Sequence, residues 1–172
     1  RLDADSEGLL LLTDDGRLQH AISHPERKQA KTYLAQVEGM PDAGSLARLQ
    51  APLDLGDFVT LACRARHIET PQWLWPRQPP IRERHDKPVS WLCITLTEGK
   101  NRQVRRMTAA VGLPTLRLIR IAIGPYTLAD YPLHPGEWRE VAAAELGISE
   151  PSDSRSPYRP LAPGSIRSKR GK

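Results

Sequence analysis

Asp3-Ala4-Asp5-Ser6-Glu7-Gly8 stands directly in front of four uninterrupted leucines, Leu9-Leu10-Leu11-Leu12. A short apolar run beside turn residues reads as a buried strand. A strand is therefore expected over residues 9–13, stopped by the turn Asp14-Asp15-Gly16. Asp3 then lies in the loop that enters this strand, at the edge of the core. A carboxylate placed there is desolvated on one side and open on the other, which suits a nucleophile or a base. The same residue types also serve as plain turn and capping residues.

The rest of the chain alternates short strands and short helices. Residues 17–23 read as a helix with Leu18, Ala21 and Ile22 on one side, and residues 31–38 as a strand. Residues 46–49 are a short helical piece, and residues 53–68 suggest two strands around Gly56-Asp57. Residues 91–97 alternate, with Leu92, Ile94 and Leu96 facing one way. Residues 102–111 form a helix whose stripe is Val104, Met107 and Val111, closed by Gly112 and Pro114. A further strand covers residues 115–124, residues 136–141 close the folded part with Trp138 as a core anchor, and residues 142–146 add a helical turn. Period-two strands with hairpin-like turns argue for an α+β fold, a mainly antiparallel sheet flanked by helices.

The charge has to be dissected before it is used. The net charge is +5, but residues 151–172 hold six basic side chains and one acid, which leaves 19 of each sign elsewhere. The domain is expected over residues 1–147, followed by a basic Pro/Ser/Gly-rich tail over 148–172 that cannot bury enough apolar surface to order itself. No apolar run approaches the roughly 20 residues that span a bilayer, and no basic-then-apolar leader opens the sequence. A cytoplasmic monomer without a membrane segment is expected. Cys63 and Cys93, far apart in strand-like surroundings, read as small hydrophobes in a reducing compartment rather than as a disulfide or metal pair. The five histidines have no ligand-like spacing.

Three further stretches carry chemistry. Lys100, Arg102, Arg105 and Arg106 crowd the start of a helix, where free N–H groups suit phosphates. The three- and four-residue spacing of the arginines projects them from one side, whether as a solvated face or as a phosphate-binding one. Tyr33 sits in a strand, where packing is its plain role and stacking on a base its other one. Residues 73–84 combine tryptophans, prolines and Arg77, Arg82 and Arg84, which fits either a rigid packed loop or an RNA-contacting one. Arg117 and Arg120 stay unassigned, strand-surface residues by default and contacts to the RNA backbone as the alternative.

Arg1-Leu2-Asp3-Ala4-Asp5-Ser6-Glu7-Gly8-Leu9-Leu10-Leu11-Leu12-Thr13 and Glu98-Gly99-Lys100-Asn101-Arg102-Gln103-Val104-Arg105-Arg106-Met107 together resemble the signatures of the pseudouridine synthases, in the branch that modifies ribosomal RNA. The resemblance covers about residues 1–145. It implies a mixed α+β fold around an antiparallel sheet, with Asp3 as the catalytic residue, Arg105 as its ion-pair partner and Tyr33 as an active-site tyrosine. It also implies isomerisation of a uridine of large-subunit (23S) ribosomal RNA to pseudouridine, a reaction that needs no metal and no organic cofactor. Lys31, Arg77, Arg82, Arg84, Lys100, Arg102 and Arg106 are the expected RNA contacts. Family members carry a segment ahead of the first motif, so an N-terminally incomplete domain with an open sheet edge is expected. The rival expectation is a non-catalytic RNA-binding module or ribosome assembly factor.

Overall fold

The computed structural model describes residues 2–23, 29–81 and 87–147. The order of elements is β1 (Glu7–Gly8), α1 (Gly16–Ser23), β2 (Lys31–Glu38), α2 (Ala43–Gln50), β3 (Arg64–Ile68), β4 (Val89–Leu96), α3 (Gln103–Ala110), β5 (Thr115–Ile123) and β6 (Tyr126–Thr127), then a 3-10 turn over Ala143–Leu146. One six-stranded sheet runs β1-β5-β2-β4-β3, with β6 added to β5. Only the β1–β5 pair is parallel, and the other described pairs are antiparallel. The sheet is mixed rather than purely antiparallel, within the expected α+β class.

Alternation along the strands sorts the core. Tyr33, Ala35 and Val37 of β2 share a face with Leu92, Ile94 and Leu96 of β4 and Leu118 of β5. That face packs on Leu49 of α2 and on Val104 and Met107 of α3, followed by Val111. The opposite face carries Leu34, Trp91 and Ile119, covered by Leu74 and Trp75 of the Pro-rich segment. Trp75 is thus a packing residue, while Trp73 is exposed. Asp42 caps α2 by accepting from the Ser45 amide, and Ser45 Oγ accepts from the Asp42 amide in return, a box of the kind that contributes about 1 kcal/mol.

Between Thr32 and Tyr33 the β2–β5 register shifts by one residue, so that Tyr33 lies opposite Arg120. Such bulges re-aim side chains beside functional sites. Arg117 and Arg120 are buried, not surface residues of the strand. Arg120 Nε donates to the Leu9 carbonyl at 2.8 Å.

That bond accounts for a correction. No ladder forms over residues 9–13; the pairing stops at Gly8. Gly8 has φ 96°, and a Cβ there would strike the Arg120 backbone. The chain leaves the sheet at this point, and the Arg120 side chain takes the next carbonyl. Leu9 and Leu11 then pack with Ala21, Tyr126 and Leu146, whereas Leu10 and Leu12 face out. Trp138 is corrected too: it is 78% exposed, in a segment with no strand. It borders an open groove of about 630 Å³ shared with Leu10 and Leu12. No helix among the described residues is long and apolar enough to cross a membrane. The expected 148–172 tail lies outside the described residues.

Candidate active site

Residues 3–6 form a turn closed by the Ser6 amide on the Asp3 carbonyl at 3.0 Å. The two ends of this turn, Asp3 and Ser6, face a cavity of about 220 Å³. Tyr33 and Leu118 come to it from the sheet, Val104 from α3, and Gly99, Lys100 and Arg102 from the loop before α3. Against the roughly 300–1,000 Å³ of drug-sized ligand sites, this is room for one ring system. Ser6 Oγ is buried and without a hydrogen-bond partner among the described residues. Buried hydroxyls are normally paired, and this one, in the turn that borders the cavity, is not.

The loop before α3 is held from behind. Buried Gln103 accepts from the Lys100 amide at 2.9 Å and donates to Glu98, which also accepts from the Leu61 amide at 2.7 Å. These bonds explain why Glu98 and Gln103 bracket the cations. Arg102 enters the helix in the left-handed region at φ 48°, alone among the described non-glycine residues.

The arginines of the helix start do not act as one face. Arg102 forks onto Asp5 at 3.0 and 2.9 Å. Arg105, largely buried, donates to the Asp5 carbonyl at 2.9 Å and stands 3.4 Å from the Asp5 carboxylate. Arg106 turns the other way, pairing with Asp57 and donating to the Leu55 carbonyl at 2.6 Å. The expected pair of Asp3 with Arg105 is therefore replaced: Arg105 meets Asp5, and the cation beside Asp3 is Arg102, 3.9 Å away. Asp3 still acts on Arg105 through its charge. Burial pushes the Arg105 guanidinium below its ordinary pKa, and Asp5 offsets part of that. The hydrogen bonds from Arg102 hold the Asp5 carboxyl below its usual range against the opposing effect of burial, with the charges of Arg105 and Arg102 adding to the lowering.

The other expected RNA contacts are spread out. Lys100 lines the cavity. Lys31, half-buried on β2, donates to the Gln29 carbonyl at 3.0 Å, and burial, helped by Arg120, lowers its pKa. Arg77 is taken up by Glu7 at 3.1 Å. Arg82 and Arg84 lie outside the described residues.

Glu7 is the residue that sequence reasoning passes over. It accepts from Arg117 at 2.9 and 2.8 Å, from Trp75 Nε1 at 2.8 Å and from Arg77. Burial alone would raise its carboxyl; the bonds from Arg117 and Trp75, with the charges of Arg117 and Arg77, outweigh it and hold the pKa below the ordinary value. Glu7 thus ties β1 to β5 and to the Pro-rich segment. Ser6 escapes sequence reasoning as well, and its only signal is its place three residues after Asp3.

A carboxylate, a tyrosine and two cations around a single-ring cavity make a site suited to a planar polar ring attached to an anionic chain. The chain belongs to the RNA pseudouridylate synthase family, whose model matches residues 1–110. It is 56% identical over 139 residues to ribosomal large subunit pseudouridine synthase E of Xanthomonas campestris pv. campestris, covering 81% of this chain and 73% of that protein. It is 51% identical over 142 residues to the protein of the same name from Vibrio vulnificus, covering 83% of this chain and 59% of that one. A solved structure titled as a crystal structure of pseudouridylate synthase superposes with a TM-score of 0.66 at 30% identity, over 85% of this chain and 56% of the other.

Proposed function

We propose that the protein isomerises a uridine of large-subunit (23S) ribosomal RNA to pseudouridine, with Asp3 as the catalytic residue. The observation that carries this reading is that Asp3, Tyr33, Lys100 and Arg102 line one cavity. The name shared by these relatives supports the ribosomal substrate. A uridine has to leave its stack to reach such a cavity, at a cost of a few kcal/mol. Stacking on Tyr33 recovers about 1–3 kcal/mol of it. In this reading Ser6 serves as a hydrogen-bond partner of the bound nucleotide, and Arg102 and Lys100 as contacts to the flanking phosphates.

The Asp3 side chain then acts on the nucleotide, at the sugar C1′, at C6 of the ring, or as the base towards a glycal. In each route the N1–C1′ bond breaks, the uracil turns, C5 bonds to C1′, any bond to Asp3 is released, the C5 proton departs to solvent and the freed N1 takes up a proton. No oxidant or reductant enters the balance. The reading further takes the protein to act as a cytoplasmic monomer.

The test is Asp3→Asn, assayed by tritium release from ribosomal RNA labelled at uridine C5 and by filter binding of the same RNA. Release should fall by at least about 10⁴-fold, the scale of a removed nucleophile or base, with Kd changed less than about threefold. Equal release by the variant and the parent, or none from the parent, would leave only an RNA-binding module.

A further inference from the structure

Almost every cation among the described residues is engaged, by a carboxylate, a backbone carbonyl or an aromatic ring. Arg64 and Arg66 of β3 are the exceptions. Neither makes a hydrogen bond, an ion pair or a ring contact among the described residues, and both are exposed. β3 ends the sheet on its side. The two arginines pair with Thr95 and Cys93 of β4, which pair in turn with Thr32 and Leu34 of β2. Alternation therefore puts them on the face of Leu34, Trp91 and Ile119, away from the cavity of Asp3 and Tyr33. The Pro-rich segment covers one end of that face, where Ile68 and Trp91 meet Leu74 and Trp75. At the other end Thr32 and Thr95 share a hydrogen bond of 2.9 Å, with Arg64 beside them. The chain runs from Ile68 into the Pro-rich segment, where Trp73 stays 57% exposed with its ring centroid 6.4 Å from that of Trp75. Between residues 58 and 81 the only acid is Glu69.

We infer that this far face of the sheet is a second contact surface for the RNA, with Arg64 and Arg66 on successive phosphates and Trp73 stacked on an unpaired base. An exposed guanidinium with no acid beside it keeps its charge available to a phosphate, and a row of such groups tracks a backbone. An exposed indole adds stacking that tolerates any base. The face is close to the reacting site through the sheet: Leu96 borders the cavity, and Arg64 pairs with Thr95, the residue before it. RNA that leaves the cavity past residues 97–100 thus meets Arg64 by turning over the end of β4. Arg66 follows about 7 Å further along β3, and Trp73 comes next on the segment that continues the strand. Charge and ring together suit a nucleic-acid strand better than an acidic protein, which offers Trp73 no base. The inference rests on the RNA substrate proposed above and names where RNA outside the target nucleotide is held.

The experiment compares the parent, the Arg64→Gln/Arg66→Gln double variant and Trp73→Ala on the C5-tritiated ribosomal RNA across a range of salt, with filter binding for Kd and tritium release for KM. Losing both arginines should raise Kd about tenfold and flatten the salt slope by about 0.7 for each, with KM rising in step. Trp73→Ala should raise Kd about fivefold or more and leave the slope unchanged. Arg64→Lys/Arg66→Lys keeps the charge and should keep the parent's slope, which separates a loss of charge from a loss of fold. Charges on an edge strand also keep sheets from pairing edge to edge. If that is their whole role, the glutamine variant binds RNA with the parent's Kd and slope and self-associates in sedimentation, which overturns the inference. An unchanged Kd for RNA with a lost affinity for polyglutamate, standing for an acidic protein, overturns it as well. A parent that binds this RNA but releases no tritium counts against the isomerase reading alone, while Kd and slope still decide the surface.

Discussion

Within the turn of residues 3–6, neighbouring side chains have opposite orders of duty. Ser6 is a buried hydroxyl with no partner among the described residues, and a buried polar group left unpaired costs about 1–3 kcal/mol. Ser6→Ala should therefore leave urea stability unchanged or slightly raised while kcat/KM falls about tenfold; a stability loss with intact turnover would make Ser6 a structural residue. Cys63 is governed by its surroundings in another way. Burial, with Glu98 adding its charge, pushes its thiol up to about 11. Since the thiolate is the reactive form, alkylation of Cys63 at pH 8 should be slow in the native protein and fast in denaturant, read by peptide mass. Residue roles are the least legible part of the sequence. A guanidinium shows in the sequence as charge only, whereas its partner is chosen by the fold: Arg117 finds Glu7 and Arg106 finds Asp57, neither adjacent in sequence.

At the scale of elements, legibility follows periodicity. The 31–38 strand is found at its expected bounds, and the facing residues Leu92, Ile94 and Leu96 of β4 and the stripe of α3 are as the spacing implies. The four leucines after Gly8 mislead because an unbroken apolar run carries no period, and the tie that ends the strand, Arg120 on the Leu9 carbonyl, comes from over a hundred residues away. Gly8→Ala tests that account. It combines φ 96° with a backbone collision and should cost at least about 2 kcal/mol in urea unfolding; a smaller loss would mean that β1 can shift without consequence. Glu7 is the other tie of this edge. Its folded-state pKa lies below the ordinary 4.5, so its stabilisation is present above that value and is lost as the pH falls through the lowered one. Glu7→Gln should be less stable than the parent at pH 7, with the gap narrowing towards pH 3 in urea titrations.

For the whole molecule, charge is unevenly shared between a neutral domain and the basic residues 151–172. Deleting residues 148–172 should weaken RNA binding and flatten its dependence on salt, by about 0.7 in slope for each single-strand phosphate that the tail no longer neutralises. An unchanged slope would put the electrostatic grip on the domain alone. The fold class is open to sequence reading because patterning repeats over many residues. The sequence singles out Asp3 and Tyr33, which line one cavity, but not the pairing of the charges beside them, where Arg102 forks onto Asp5 and lies farther from Asp3.

The thin ladder of β1 has a consequence for how the protein fails on heating. β2 is hydrogen-bonded along its length on both sides, but β1 meets the sheet through two register positions only. The corner bearing Asp3 should therefore come loose while the central strands are still closed. Catalysis would be lost several degrees before the circular dichroism of the sheet, and amide exchange at Ser6 and Leu9 would run ahead of that at Leu34 and Leu92. Heat tolerance of the activity would then be improved by changes at this one edge, not by a better core.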